Sequence, residues 1–169
     1  METSRIFVST CEEYMSFRVR GLPIDPFIHL LSMDDAQLAT RGIKRVIADD
    51  PQFPCRVTLA HAEVGETLLL INHEHQPAPH SPYRASGPIF VREANTQTYD
   101  ALDTVPKPLA IRLLSLRAYD AQDMMIDAEV IEGSHLTKQI EKLFDNPAVA
   151  YLHAHYARRG CYAALIERA

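Results

Sequence analysis

The run Leu68-Leu69-Leu70-Ile71 limits the possible folds more than any other feature of the chain. Four consecutive apolar residues in a strand need cover on both faces, and a central place in a sheet provides it. The surrounding segment, residues 66–74, reads as one strand that follows a Val-Gly-Glu turn. Residues 43–48 and 55–59 are also rich in β-branched and apolar side chains, with Asp-Asp-Pro between them. Beyond Gly42, therefore, the chain is predicted to be mostly β.

The remaining segments fall around that frame. Phe17-Arg18-Val19-Arg20 alternates as a short half-buried strand does. Ser32-Met33-Asp34-Asp35 has the form of a capping box and predicts a helix to about Arg41, closed by Gly42. Residues 76–82 hold three prolines and must be a loop, and a strand resumes at 87–92. Residues 94–108 read as a polar surface excursion. Residues 109–119 and 124–131 face each other as a hairpin across 120–123, with Met124 and Met125 in the strand core. Leu136, Ile140, Leu143 and Phe144 form one stripe of a helix that Asn146-Pro147 ends. Two last strands follow at 148–155 and 162–166. The expectation is an α+β single domain, residues 15–169, with a mainly antiparallel or mixed β-sheet and two short helices packed on it. Residues 1–14 read as an N-terminal extension ahead of a second candidate start, Met15.

Composition narrows the function classes. At 169 residues, 47% apolar and 23% charged, the chain suits one globular domain. A net charge of −5 argues against nucleic acid and anionic membranes as partners, since both select basic faces. No apolar run reaches the length of a membrane span. The three cysteines, Cys11, Cys55 and Cys161, form no CxxC, so reduced thiols in a cytoplasmic protein are expected. GxGxxG, Walker and GxSxG motifs are all missing.

Polar chemistry gathers in two stretches, 72–84 and 153–161. His73 and His75, and likewise His153 and His155, stand two apart and would share a strand face. Two such pairs on neighbouring strands could bind zinc, although alternate histidines often line a strand without any ligand. Tyr83 and Arg84, on a proline-fixed loop beside Gln76, are candidates for holding an anion, with Arg92 on the same rim. Arg84 could equally pair with a surface acid. Arg158 and Arg159 precede Cys161 and could favour its thiolate near His153 or His155, whereas a small buried Cys is the simpler reading.

Several segments carry a resemblance: Phe53-Pro54-Cys55-Arg56, Glu74-His75-Gln76-Pro77, the run from Ser81 through Tyr83-Arg84-Ala85-Ser86-Gly87-Pro88 to Arg92, and Tyr151-Leu152-His153-Ala154-His155 with Gly160-Cys161. From about Met15 onward the chain resembles the bacterial domain-of-unknown-function family numbered twelve-oh-three. The resemblance implies a small soluble protein and brings no activity with it. It also implies an aromatic at position 73 and Asn at 156, where this chain has His73 and Tyr156, which weakens a four-histidine metal site.

The resulting expectation is a site for a small anionic molecule at one end of the sheet, with no metal assigned. Tyr83, Arg84, Arg92, Arg158 and Gln76 would bind the ligand, while His75, His153, His155 and Cys161 would supply any catalysis. Two alternatives stand beside it. One is a non-catalytic interaction domain whose polar residues form a structural network, and the other is a metalloprotein using His75, His153 and His155. The reaction and cofactor are left open, and exposed edge strands leave a homodimer open.

Overall fold

The computed structural model describes residues 15–94 and 96–169, so the extension expected at 1–14 lies outside the described residues. The first half of the chain runs β1 (Phe17–Arg20), α1 (Asp25–Leu31), α2 (Asp35–Ala39), β2 (Lys44–Ile47), β3 (Thr67–Gln76) and β4 (Ala85–Arg92). The second half runs β5 (Asp100–Leu102), α3 (Lys107–Ala110), β6 (Leu113–Tyr119), β7 (Met125–Glu132), α4 (Leu136–Phe144), β8 (Tyr151–Tyr156) and β9 (Tyr162–Arg168). The fold is α+β with two antiparallel sheets. The larger is ordered β5-β1-β9-β8-β6-β7 and the smaller β2-β3-β4.

β3 is central in its sheet, as its double-sided apolar run requires. Leu69 and Ile71 face Phe27, Leu30 and Leu38 from α1 and α2, while Leu68 packs with Ala48 and Ala62 on the other side. In the larger sheet, Leu114, Leu116, Leu152, Ala154, Ala164 and Ile166 form one apolar face. Helix α4 covers it with Leu136, Ile140, Leu143 and Phe144, all buried. Each fully buried side chain of this kind contributes about 2 kcal/mol, so this face dominates the core. The opposite face of the same sheet carries the polar aromatic residues.

Several elements differ from the sequence expectation. Among the described residues there are four helices, of which two, α1 and α4, are seven residues or longer. Ser32 ends α1 instead of opening the next helix, and Asp34 is the N-cap of α2. Gln37 completes a capping box with Asp34, which satisfies two orphan N–H groups where Ser32 would leave Asp34 inside the helix. Residues 55–59 are not a strand. Leu59 takes a left-handed φ of +46°, which breaks the extended backbone, and the segment forms isolated bridges in place of a continuous ladder. Met124 is 36% exposed and is not strand core, because it belongs to the turn ahead of β7, where Asp123 takes a left-handed φ of +61° and the Met124 carbonyl accepts from Asp120 N–H. Finally, the excursion at 94–108 contains β5, which pairs with β1.

Candidate functional site

The parity of β8 creates the site. Leu152, Ala154 and Tyr156 enter the apolar core, so Tyr151, His153 and His155 turn to the other face. An irregularity at Ala154/His155 sets Tyr162 of β9 opposite His155. The end of β3 lies over these residues and adds His75, whose ring stacks on Tyr162 with centroids 5.2 Å apart. His75 lies 5.1 Å from His155 and 6.2 Å from His153, centroid to centroid. Tyr119 and Tyr151 stack at 5.1 Å and continue the layer past His153. His153 and His155 are buried, and His75 is half-buried.

Hydrogen bonding fixes part of the chemistry. His155 Nδ1 lies 3.1 Å from the carbonyl of Gly160, which can only accept, so Nδ1 carries the proton. Nε2 of His155 is then a bare acceptor, buried and without a partner. Nδ1 of His75 and Nδ1 of His153 are also buried without partners. Burial drives the pKa values of His153 and His155 down to about 3, and the Arg117 guanidinium pushes both in the same direction. For His153 the neighbouring imidazoles His155 and His75 add more than Arg117 does. The pKa of His75 is lowered by burial first and by Arg117 next. At neutral pH, therefore, His153 and His155 are uncharged.

Arg117 sits on β6 directly across from His153, on the same face. Among the described residues no carboxylate pairs with it. A second guanidinium, Arg56, is 3% exposed and equally without a carboxylate. It donates from Nε to the Tyr162 carbonyl at 2.7 Å, binds the Pro54 carbonyl, and lies 5.0 Å from the Tyr156 ring centre. The layer is thus flanked by two cations with no counter-charge of their own. A satisfied chain borders it: Gln76 Nε2 donates to the Tyr151 hydroxyl at 2.7 Å, which donates to Asp123 at 2.6 Å. Ser81 closes the chain by donating to the Asp123 carbonyl at 2.7 Å.

The structure brings His75, His153, His155 and Gln76 together. Tyr83 reaches the rim, with its ring 6.4 Å from that of Tyr119. Arg84 does not join them and is an exposed partner of Glu74. Arg92 pairs with Glu66 at the far end of β4, seven residues from Ala85 and so about 23 Å along the strand. Arg158 lies exposed in the β8–β9 turn, and the Cys161 thiol meets only the Arg159 carbonyl, at 3.8 Å. Cys55 and Cys161 are free thiols. Sequence reasoning missed Arg117, Arg56's counter-charge deficit, Tyr119, Tyr151 and Tyr162. Their alternation along β6, β8 and β9 marks the shared face only once the pairing is known. Among the described residues, no three His, Cys, Asp or Glu side chains converge closely enough to hold a metal ion. No helix among them is long and apolar enough to cross a membrane.

The family described as protein of unknown function, DUF1203, matches residues 52–168. The chain belongs to this family. The DUF1203 match begins at residue 52, later than the start near Met15 that the resemblance suggested, and takes in every site residue named above. β1, α1, α2 and β2 thus precede the DUF1203 match and supply part of its packing, through Phe27, which contacts His73 at 5.5 Å. No curated protein and no solved structure matches the chain.

Proposed function

We propose that the imidazole layer binds a small anion that also carries a hydrogen-bond donor. The observation that carries this reading is an unpartnered acceptor beside a cation that lacks a counter-charge: bare Nε2 of His155 on one side, and on the other Arg117, which meets the Tyr119 hydroxyl but, among the described residues, no carboxylate. A ligand carboxylate or phosphate would fork onto Arg117. A ligand O–H or N–H would satisfy the buried imidazole, whose isolation otherwise costs about 1–3 kcal/mol. Arg117 thereby takes the role expected of Arg84, Arg92 and Arg158, and Tyr83 and Gln76 remain at the rim. An anion that offsets the field of Arg117 raises the pKa values of His75 and His155 only part of the way, because burial is the larger cause of their lowering, so proton transfer during any reaction falls to the less buried His75. Free thiols at Cys55 and Cys161 suit a reducing compartment, and we place the protein in the cytoplasm.

The second reading, a structural polar network, draws on the closed chain from Gln76 through Tyr151 and Asp123 to Ser81. Thermal-shift titration with hydroxy acids and phosphate esters separates the two. An anion that stabilises the wild type should lose at least tenfold in affinity in Arg117→Gln, about 1.4 kcal/mol, and keep its affinity in Arg84→Ala. Loss in Arg84→Ala alone would move the site to the proline-rich loop. Indifference of the wild type to every anion would leave the network reading in its place.

A further inference from the structure

Away from the imidazole layer, residues 58–61 border an open surface cleft of about 430 Å³, with Tyr99, Pro106, Lys107 and Pro108 among its other walls. Pockets that hold small molecules span roughly 300–1,000 Å³. Pro106, Pro108, Ala60 and the Tyr99 ring make much of the lining apolar, and the charged residue in the lining is a cation, Lys107. Lys107 is exposed at the edge. Arg112 contacts His61 Nε2 at 2.7 Å and donates to the carbonyls of Pro108 at 3.0 Å and Gln52 at 2.9 Å. All its partners are neutral. Among the described residues, neither Lys107 nor Arg112 pairs with a carboxylate. Asp50 acts on His61 more weakly than either cation does.

The contact with Arg112 also sets the state of His61. A guanidinium offers only donors, so His61 Nε2 accepts and Nδ1 carries the proton. His61 is only partly buried, so its Nδ1–H can donate to a ligand. Beside it, Leu59 is buried yet holds φ at +46°, a left-handed conformation that costs a branched side chain of this kind about 1–3 kcal/mol. The conformation is held in place by Cys55 N–H on the Ala60 carbonyl and Tyr99 N–H on the Val57 carbonyl, both at 2.9 Å. It turns the chain so that Leu59 enters the core while Ala60 and His61 line the cleft.

We infer that this cleft is a second ligand site, for a small organic anion bearing one carboxylate or phosphate on an apolar body. Lys107 and the His61 Nδ1–H take the charged end, and Ala60, Pro106, Pro108 and the Tyr99 ring pack the body. The site shares no residue with the layer around Arg117, so the two readings stand or fall separately.

The test uses the whole chain with three probes of similar size: benzoate, phenyl phosphate and uncharged benzyl alcohol. At millimolar concentration benzoate or phenyl phosphate should raise Tm by several degrees and shift the backbone amide resonances of residues 58–61 and Tyr99. The tighter of the two names the charged group. Lys107→Met, a change at an exposed side chain, should weaken that binding at least tenfold, while Arg117→Gln leaves it unchanged. Benzyl alcohol performing as well as the anions would overturn the proposal. So would full affinity in Lys107→Met, or amide shifts confined to β6 and β8 that vanish in Arg117→Gln.

Discussion

Lowering the pH from 7 to 5 is expected to remove about 4 kcal/mol of stability, a large part of the roughly 5–15 kcal/mol that holds a domain folded. The cause is His153 and His155, whose pKa values lie near 3 in the fold and near 6.5 in the unfolded chain. Between those values the unfolded chain binds more protons, so acid favours unfolding. The contribution of these imidazoles is complete above pH 6.5 and is lost as the pH falls toward 3. His61, His73 and His75 are lowered as well and act in the same direction. Urea midpoints measured at half-unit steps from pH 7.5 to 5 give the slope directly, near 1.4 kcal/mol per unit for each buried imidazole. His155→Gln should remove close to half of that slope. A midpoint that stays constant across the range would show that both rings protonate freely in the folded protein.

A second large effect is expected at Gly21. A methyl group added there would meet the Val57 carbonyl oxygen at 2.0 Å, far inside contact, and that oxygen belongs to the backbone. The approach is close because Leu22 N–H donates to the Arg56 carbonyl at 2.7 Å and Gly21 N–H to the Tyr99 carbonyl at 2.9 Å. Gly21→Ala must therefore displace the segment that carries Arg56 and Leu59, with a loss of about 3 kcal/mol or more. Gly42→Ala makes the comparison. Gly42 has open space around it but a φ of +69°, so only the left-handed backbone is penalised, by about 1 kcal/mol. Chemical denaturation of the two variants should rank Gly21→Ala well below Gly42→Ala. The reverse order would mean that the 56–58 backbone yields without cost.

How far the sequence reached depends on the kind of contact. β3, β6, β8, β9 and α4 were legible because their apolar spacing reports burial directly. The shared face of His153 and His155 was legible for the same reason, since a strand's parity needs no knowledge of its neighbours. Arg117 was not. On an alternating strand an arginine reads as a solvated position, and only the β6–β8 register sets it across from His153. Arg84 differs in the opposite sense: its loop looked ligand-facing, and the structure pairs its guanidinium with Glu74, ten residues earlier, once β3 and β4 pair. Residues 55–59 are β-rich in composition, and the left-handed turn at Leu59 overrides that preference through contacts with Gly21 and Tyr99. Asp25-Pro26 was a readable signal for α1, because proline suits a first helical turn.

The terminal position of β7 has a consequence for behaviour in concentrated solution. Its open edge displays Val130, 60% exposed, and Ile126, 40% exposed, between Asp127, Glu129 and Glu132. Two molecules meeting edge to edge in antiparallel fashion would set carboxylates against carboxylates, so charge repulsion guards an otherwise adhesive strand. Such repulsion reaches about 10 Å at 0.1 M salt and only about 3 Å at 1 M. The protein should therefore stay dispersed in dilute buffer and self-associate as sodium chloride is added, which light scattering across that range would register. An unchanged particle size would mean that the strand needs no such guard.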